Sequence, residues 1–143
     1  MPPQAVWIVL VSDGTRIEYP PEVFARESAA RGEAYRWAWS MSGSGAPFRM
    51  RSSIGWSAGI RDVLVIPAQF EGSSPDRCWV VAFGRGPIAG GADVEIASHR
   101  RAALESVAAW AEARGSSVAA SPMGLWSGAG DLWVDAQRAK FCC

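Results

Sequence analysis

The hydrophobic pattern opens with Val6 to Val11, an unbroken apolar run rich in β-branched residues, and closes on Ser12-Asp13-Gly14. A run of that length bounded by turn residues predicts a strand followed by a tight turn. A short second strand is expected around Arg16 to Tyr19, stopped by Pro20-Pro21, because proline cannot donate to a ladder. The period then changes. From Glu27 to about Ser42, Ala30, Ala34, Trp37 and Met41 recur at i, i+4, i+7 and i+11, which marks one face of a helix. Glu27 and Arg31 form an i,i+4 pair on its opposite side. Gly43 suits the left-handed position just past the helix end, where a side chain would clash. Asp62 to Ile66 reads as a strand stopped by Pro67, and one more strand is allowed around Phe48 to Ser52.

The second half repeats this grammar. Cys78 to Phe83 reads as a strand, Gly84 to Gly91 as a glycine-rich turn and Asp93 to Ala97 as the returning strand. Ser98 is a suitable N-cap for a helix whose stripe is Ala103, Val107 and Trp110, ended by Arg114 and Gly115. Asp131 to Asp135 is the closing strand.

Direct comparison of the halves finds the same signals at a nearly constant offset. Trp7-Ile8-Val9 matches Trp79-Val80-Val81, Gly14 matches Gly86, and Gly43 matches Gly115, each 72 positions on. Trp37 pairs with Trp110, and Trp56-Ser57-Ala58-Gly59 with Trp126-Ser127-Gly128-Ala129. The expected fold is therefore α+β: one domain over 1–143, built of two fused β-β-α-β repeats (about 5–70 and 77–136) related by approximate two-fold symmetry, with helices packed on antiparallel sheet. One such unit cannot cover its own apolar face, whereas two can close a shared core. Trp7, Trp37, Trp79 and Trp110 are expected at its centre, each burying roughly 150–250 Å². Trp39, so close to Trp37 in sequence, must point elsewhere, and Trp133 has no counterpart. These two are the candidates for surface contact, since aromatic anchors are enriched at binding hot spots.

Composition narrows the classes. Fourteen basic residues balance fourteen acidic ones among 143, so no global field points to nucleic acid or an anionic membrane. No apolar run approaches the roughly 18 residues of a membrane span. Arginine outnumbers lysine thirteen to one, Lys140 being the single lysine, and alanine and glycine abound. That bias follows GC-rich codons and suggests a bacterium or phage. The segment Met1-Pro2-Pro3-Gln4 lacks a basic region and Ala5 to Val11 is too short for a signal sequence, so the expected location is the cytoplasm. Three cysteines have no framework spacing; Cys142-Cys143 is expected to lie on a frayed terminus without a role, and the residue bias argues against a eukaryotic prenylation signal. With one histidine, no zinc set is apparent, and no metal or cofactor is expected.

Candidate chemistry is sparse. Gly55-Trp56-Ser57-Ala58-Gly59 matches the G-x-S-x-G nucleophile elbow, and Asp62, Asp76 or Asp93 with His99 formally completes a triad. The elbow needs a helix after the serine, however, and Ile60 to Ile66 reads as a strand. His99, in the first turn of the second helix, is disfavoured in its charged form there. Gly84 to Gly91 follows a strand but lacks the Gly-Lys-Ser/Thr ending of a phosphate loop, so a hairpin is expected. Arg49 and Arg51, in the Ser/Gly-rich stretch from Met41 to Ile54, are spaced to grip a carboxylate or phosphate. Arg100-Arg101 is too small a cluster for nucleic acid.

Trp7, Val9, the Asp13-Gly14 turn and Phe24 just before an Ala/Glu-rich helix resemble a pattern in small proteins of actinobacteria and their phages. The resemblance covers Trp7 to Trp39 alone and implies no activity. The expected function is a non-enzymatic binding protein that engages a protein partner as inhibitor, immunity protein or adaptor; a second copy of the chain is an admissible partner. The alternative is a small anionic ligand, bound or turned over in a pocket between the repeats. The residues expected to bind are Trp39, Arg49, Arg51, Trp56, Trp126 and Trp133, and no catalytic residue is assigned.

Overall fold

The apolar run at the start of the chain becomes a strand buried on both faces, and the architecture follows from that. A computed structural model describes residues 4–13, 16–43, 45–49, 55–58, 60–70, 78–86, 92–120 and 124–142. The first half forms β1 (Gln4–Ser12), β2 (Glu22–Phe24), α1 (Glu27–Met41), β3 (Phe48–Arg49), β4 (Gly55–Ala58) and β5 (Arg61–Phe70). The second forms β6 (Trp79–Arg85), β7 (Ala92–Ala97), α2 (Arg100–Ala113), β8 (Ala119–Ala120), β9 (Gly124–Ala129), β10 (Leu132–Arg138) and β11 (Lys140–Cys142). The strands make two sheets, β11-β2-β1-β5-β4-β3 and β7-β6-β10-β9-β8. Every pairing is antiparallel except that of β11 with β2.

This is an α+β fold with a helix packed on each sheet and the two sheets packed face to face. Between the sheets lie Val6, Ile8, Leu10, Leu64, Phe70, Val80 and Ala82. The alternate residues Val9, Val11, Val63 and Val65 turn outward to α1, and Val81, Val134 and Ala136 to α2. A strand apolar at every position is thus used on both sides, which is why it shows no alternation. Each helix contributes small residues to its own interface: Ala30, Ala34 and Ala38 from α1, Ala103, Val107 and Ala111 from α2. Gly43 and Gly115 take positive φ, each 66°, at the two helix ends, as a left-handed terminus requires.

Several expectations are corrected. Arg16 to Tyr19 does not form the second strand; Ile17 makes one bridge to Ser12, and the strand paired with β1 comes after Pro20-Pro21. Each half contains the order β-β-α-β-β-β, followed in the second by β11, because Gly55–Ala58 and Gly124–Ala129 are strands and β3 and β8 add a short rung beyond them. Pro67 does not stop β5, which pairs Pro67 with Trp7 of β1 and runs on to Phe70. The four paired tryptophans are not the shared centre. Trp7 and Trp37 flank the α1 interface and Trp79 and Trp110 the α2 interface, all half-buried, while aliphatic side chains fill the space between the sheets. The N-cap of α2 is His99 and not Ser98; its Nδ1 accepts from the Ala102 N–H at 3.1 Å. Cys142 is not frayed but lies in β11 and packs toward α1. Cys143 lies outside the described residues, as do Gly14, Gly59, Asp76 and the stretch 87–91.

Candidate functional site

Strand register decides where the candidate residues go. Trp56 lies opposite Val63 and shares its α1 side, whereas Trp126 lies opposite Asp135 and faces the other sheet. Equal sequence neighbourhoods therefore point in opposite directions, because one residue of slip exchanges the faces of a strand. The four predicted tryptophans separate into two groups, Trp39 with Trp56 and Trp126 with Trp133.

On the outside of α1, Tyr35 and Trp39 stand at i and i+4, each 48% exposed. Their rings meet at 6.1 Å edge to face, and Tyr35 meets Trp56 of β4 at 5.7 Å in the same manner. The result is an aromatic row running from helix to strand. Gly32, one turn earlier, has nothing within 4 Å of where a Cβ would stand, so the row opens onto bare helix backbone. Arg49 pairs through its backbone with Trp56; Arg51 lies outside the described residues. Trp37, by contrast, is anchored inward: its indole N–H donates to Glu22 at 2.5 Å and its ring lies 5.0 Å from Tyr19.

The second group lines a cleft of about 470 Å³ along the β9–β10 hairpin, with Trp126, Trp133 and Leu132 on its walls and Arg16 and Asp135 beside them. Trp133 is not a surface residue, being 9% exposed, and its indole N–H donates to the Gly86 carbonyl at 2.8 Å. The Arg16 guanidinium lies 4.7 Å from the Trp126 ring centre, a cation–π contact. Sequence reading missed Asp135 and Gln137, whose placement appears only once β10 is set against β6 and β9, and Arg16, which a contact 110 residues along the chain brings to Trp126.

Asp135 and Gln137 explain how the irregular Arg16-Ile17 stretch is held. Both are 2% exposed. Asp135 accepts from the Ile17 N–H at 3.0 Å, and the Gln137 amide donates to the Ile17 carbonyl at 2.6 Å. Two side chains of one sheet thus supply the bonds that a strand would have given the other, which satisfies a buried backbone with no ladder of its own. Burial pushes the Asp135 carboxyl above the ordinary value of 3.8; the Ile17 N–H, Arg16 and Gln137 offset only part of that. The native state consequently holds this proton more tightly than the unfolded chain does. Stability contributed by Asp135 rises as pH falls through its raised native value and levels off below 3.8. Asp135→Asn does not titrate, so in urea unfolding the wild type should gain on the variant toward acid. A difference that is flat or reversed across that window would contradict this account.

The serine of the elbow motif lies in β4 and donates to Asp62 at 2.9 Å, while His99 is occupied at the start of α2. Among the described residues, no three His, Cys, Asp or Glu side chains gather to hold a metal ion, and no helix is long and apolar enough to cross a membrane. None of the protein-family models, curated proteins or solved structures compared with the chain matches it.

Proposed function

We propose that the chain is a non-enzymatic, cytoplasmic binding protein that engages a protein partner through the Trp39-Tyr35-Trp56 row. The observation that carries this reading is the pair of large aromatics standing half out of α1. An aromatic side chain brings much contact area at little entropic cost, and Trp and Tyr dominate measured hot spots. The bare turn at Gly32 lets a partner backbone approach the same face closely. We further infer that the two halves arose by duplication of a β-β-α-β-β-β unit with approximate two-fold symmetry. The shared strand order and the buried triads at i, i+4 and i+8 of each helix support that origin.

The test places a photo-crosslinking amino acid at Trp39 and, as a control, at Leu104, which is 36% exposed on α2. A protein adduct specific to position 39 is expected. The purified adduct partner should bind the wild type and lose at least tenfold in affinity with Trp39→Ala, about 1.4 kcal/mol, and nothing with Leu104→Ser. Identical adducts at both positions, or equal affinities, would overturn the reading.

A further inference from the structure

The second sheet ends at β7, which pairs with β6 on one side and, among the described residues, with no strand on the other. Its backbone there offers the N–H and C=O groups of a ladder to an extended chain. Register sorts its side chains. Glu95 stands opposite Val81 and Asp93 opposite Phe83, so both carboxylates lie on the α2 side, while Val94 and Ile96 pack toward the layer between the sheets. Asp93 and Glu95 are exposed, and among the described residues no hydrogen bond or ion pair holds either. Arg114, just past α2, is committed to its own helix: its guanidinium lies 4.8 Å from the Trp110 ring centre and donates to the Trp110 carbonyl at 3.2 Å. Beside Glu95 a cavity of about 170 Å³ opens under α2, lined by Phe83, Ser106 and Trp110.

A cavity of that size falls below the roughly 300–1,000 Å³ of small-molecule sites and suits one long side chain. A strand laid on a sheet edge spends its main chain on hydrogen bonds and sends alternate side chains to opposite faces, like-facing neighbours standing roughly 6.6 Å apart. Residues i and i+2 of such a strand come to Asp93 and Glu95, and the residues between them join Val94 and Ile96. The first kind must be basic and the second apolar. Arginine fits better than lysine, since its planar head meets a carboxylate with two bonds and stacks on aromatic faces. A second copy of β7 is disfavoured, because it would set carboxylates against carboxylates, a common protection of an edge against its own kind. We propose that the β7 edge takes up an extended segment of a protein partner with arginines at alternate positions and β-branched residues between them, one arginine entering the cavity beside Glu95. This surface belongs to the second half of the chain and is separate from the aromatic row on α1.

The probe is the capped peptide Val-Arg-Val-Arg-Val, with Val-Val-Arg-Arg-Val as a control of the same composition whose arginines no longer share a face. Titration of the full chain, followed in ¹⁵N spectra, should show saturable movement of the Asp93 to Ile96 amides and of the Trp110 indole N–H with the alternating peptide. The control should bind at least tenfold more weakly. Hydrogen exchange of the β7 amides should slow at least tenfold at saturation, an effect that ion pairing alone would not produce. Asp93→Asn and Glu95→Gln alter exposed, unpaired side chains, and together they should weaken the alternating peptide at least tenfold with the spectrum otherwise like the wild type. The proposal is overturned by no movement at millimolar peptide, by equal binding of the two peptides, or by movement confined to α1. Movement of the β7 amides with protein concentration alone would mark self-pairing and overturn it equally.

Discussion

Gly124→Ala is expected to destabilise the protein by roughly 3 kcal/mol or more in chemical denaturation, while Gly128→Ala, four residues along the same strand, stays within about 0.5 kcal/mol. A Cβ on Gly124 would run into the Ala136 carbonyl and lie 3.1 Å from both the Ala136 carbonyl carbon and Cγ of Gln137. Ala136 belongs to β10, which is laddered on both sides, to β6 and β9. Its carbonyl cannot retreat without loosening a sheet, and the strain has no flexible side chain to absorb it. At Gly128 the nearest atoms to a new Cβ are the Leu132 carbonyl oxygen at 3.6 Å and a Trp126 ring atom at 3.9 Å, which are ordinary contacts. Similar losses for the two variants would show that β9 does not approach β10 in this way.

Ending the chain after Ala139 should cost about 3–5 kcal/mol, read as a lower urea midpoint. Among the described residues, β11 is the one strand that leaves the second half to join the first half's sheet, pairing Lys140, Phe141 and Cys142 with Glu22, Val23 and Phe24. The Lys140 N–H also donates to the Pro21 carbonyl at 2.8 Å. Phe141 packs against the layer between the sheets, and Cys142 against the α1 layer. Full burial of a Phe contributes about 1.5–3 kcal/mol, of which the half-buried Phe141 gains a part, and each net hydrogen bond contributes about 1 kcal/mol. Phe141→Ala should reproduce the packing share alone, so its loss must be smaller than that of the truncation. Unchanged stability in the truncated chain would mean that β11 does not strap the sheets together.

Much of the framework was legible from local pattern. The helix over Glu27–Met41, its glycine terminus and the Glu27–Arg31 pair at 2.9 Å follow from a 3.6-residue period and backbone sterics, which act within a few residues. The hairpin of β6 and β7, with Gly84 opposite Ala92, follows from turn chemistry in the same way. The exposure of Trp39 was legible too, because two aromatics so close on one helix cannot both face the sheet.

The site was not legible, and the reason is register. Matching Trp56-Ser57 with Trp126-Ser127 by their letters conceals that the two tryptophans occupy opposite faces, since a strand alternates every residue and its phase is fixed by the partner strand. Trp133 looked like a spare surface aromatic because nothing local announces that Gly86 supplies a carbonyl for its indole. The closing strand is expected to end at Asp135, whereas it runs to Arg138 and includes Gln137. Only the packing of one sheet on the other turns Asp135 and Gln137 inward and gives both residues the Ile17 backbone to hold. The chain's own letters settle which segments coil and which extend, because those preferences are short-ranged; which faces meet, and hence which polar groups are buried together, is decided by contacts more than a hundred residues apart.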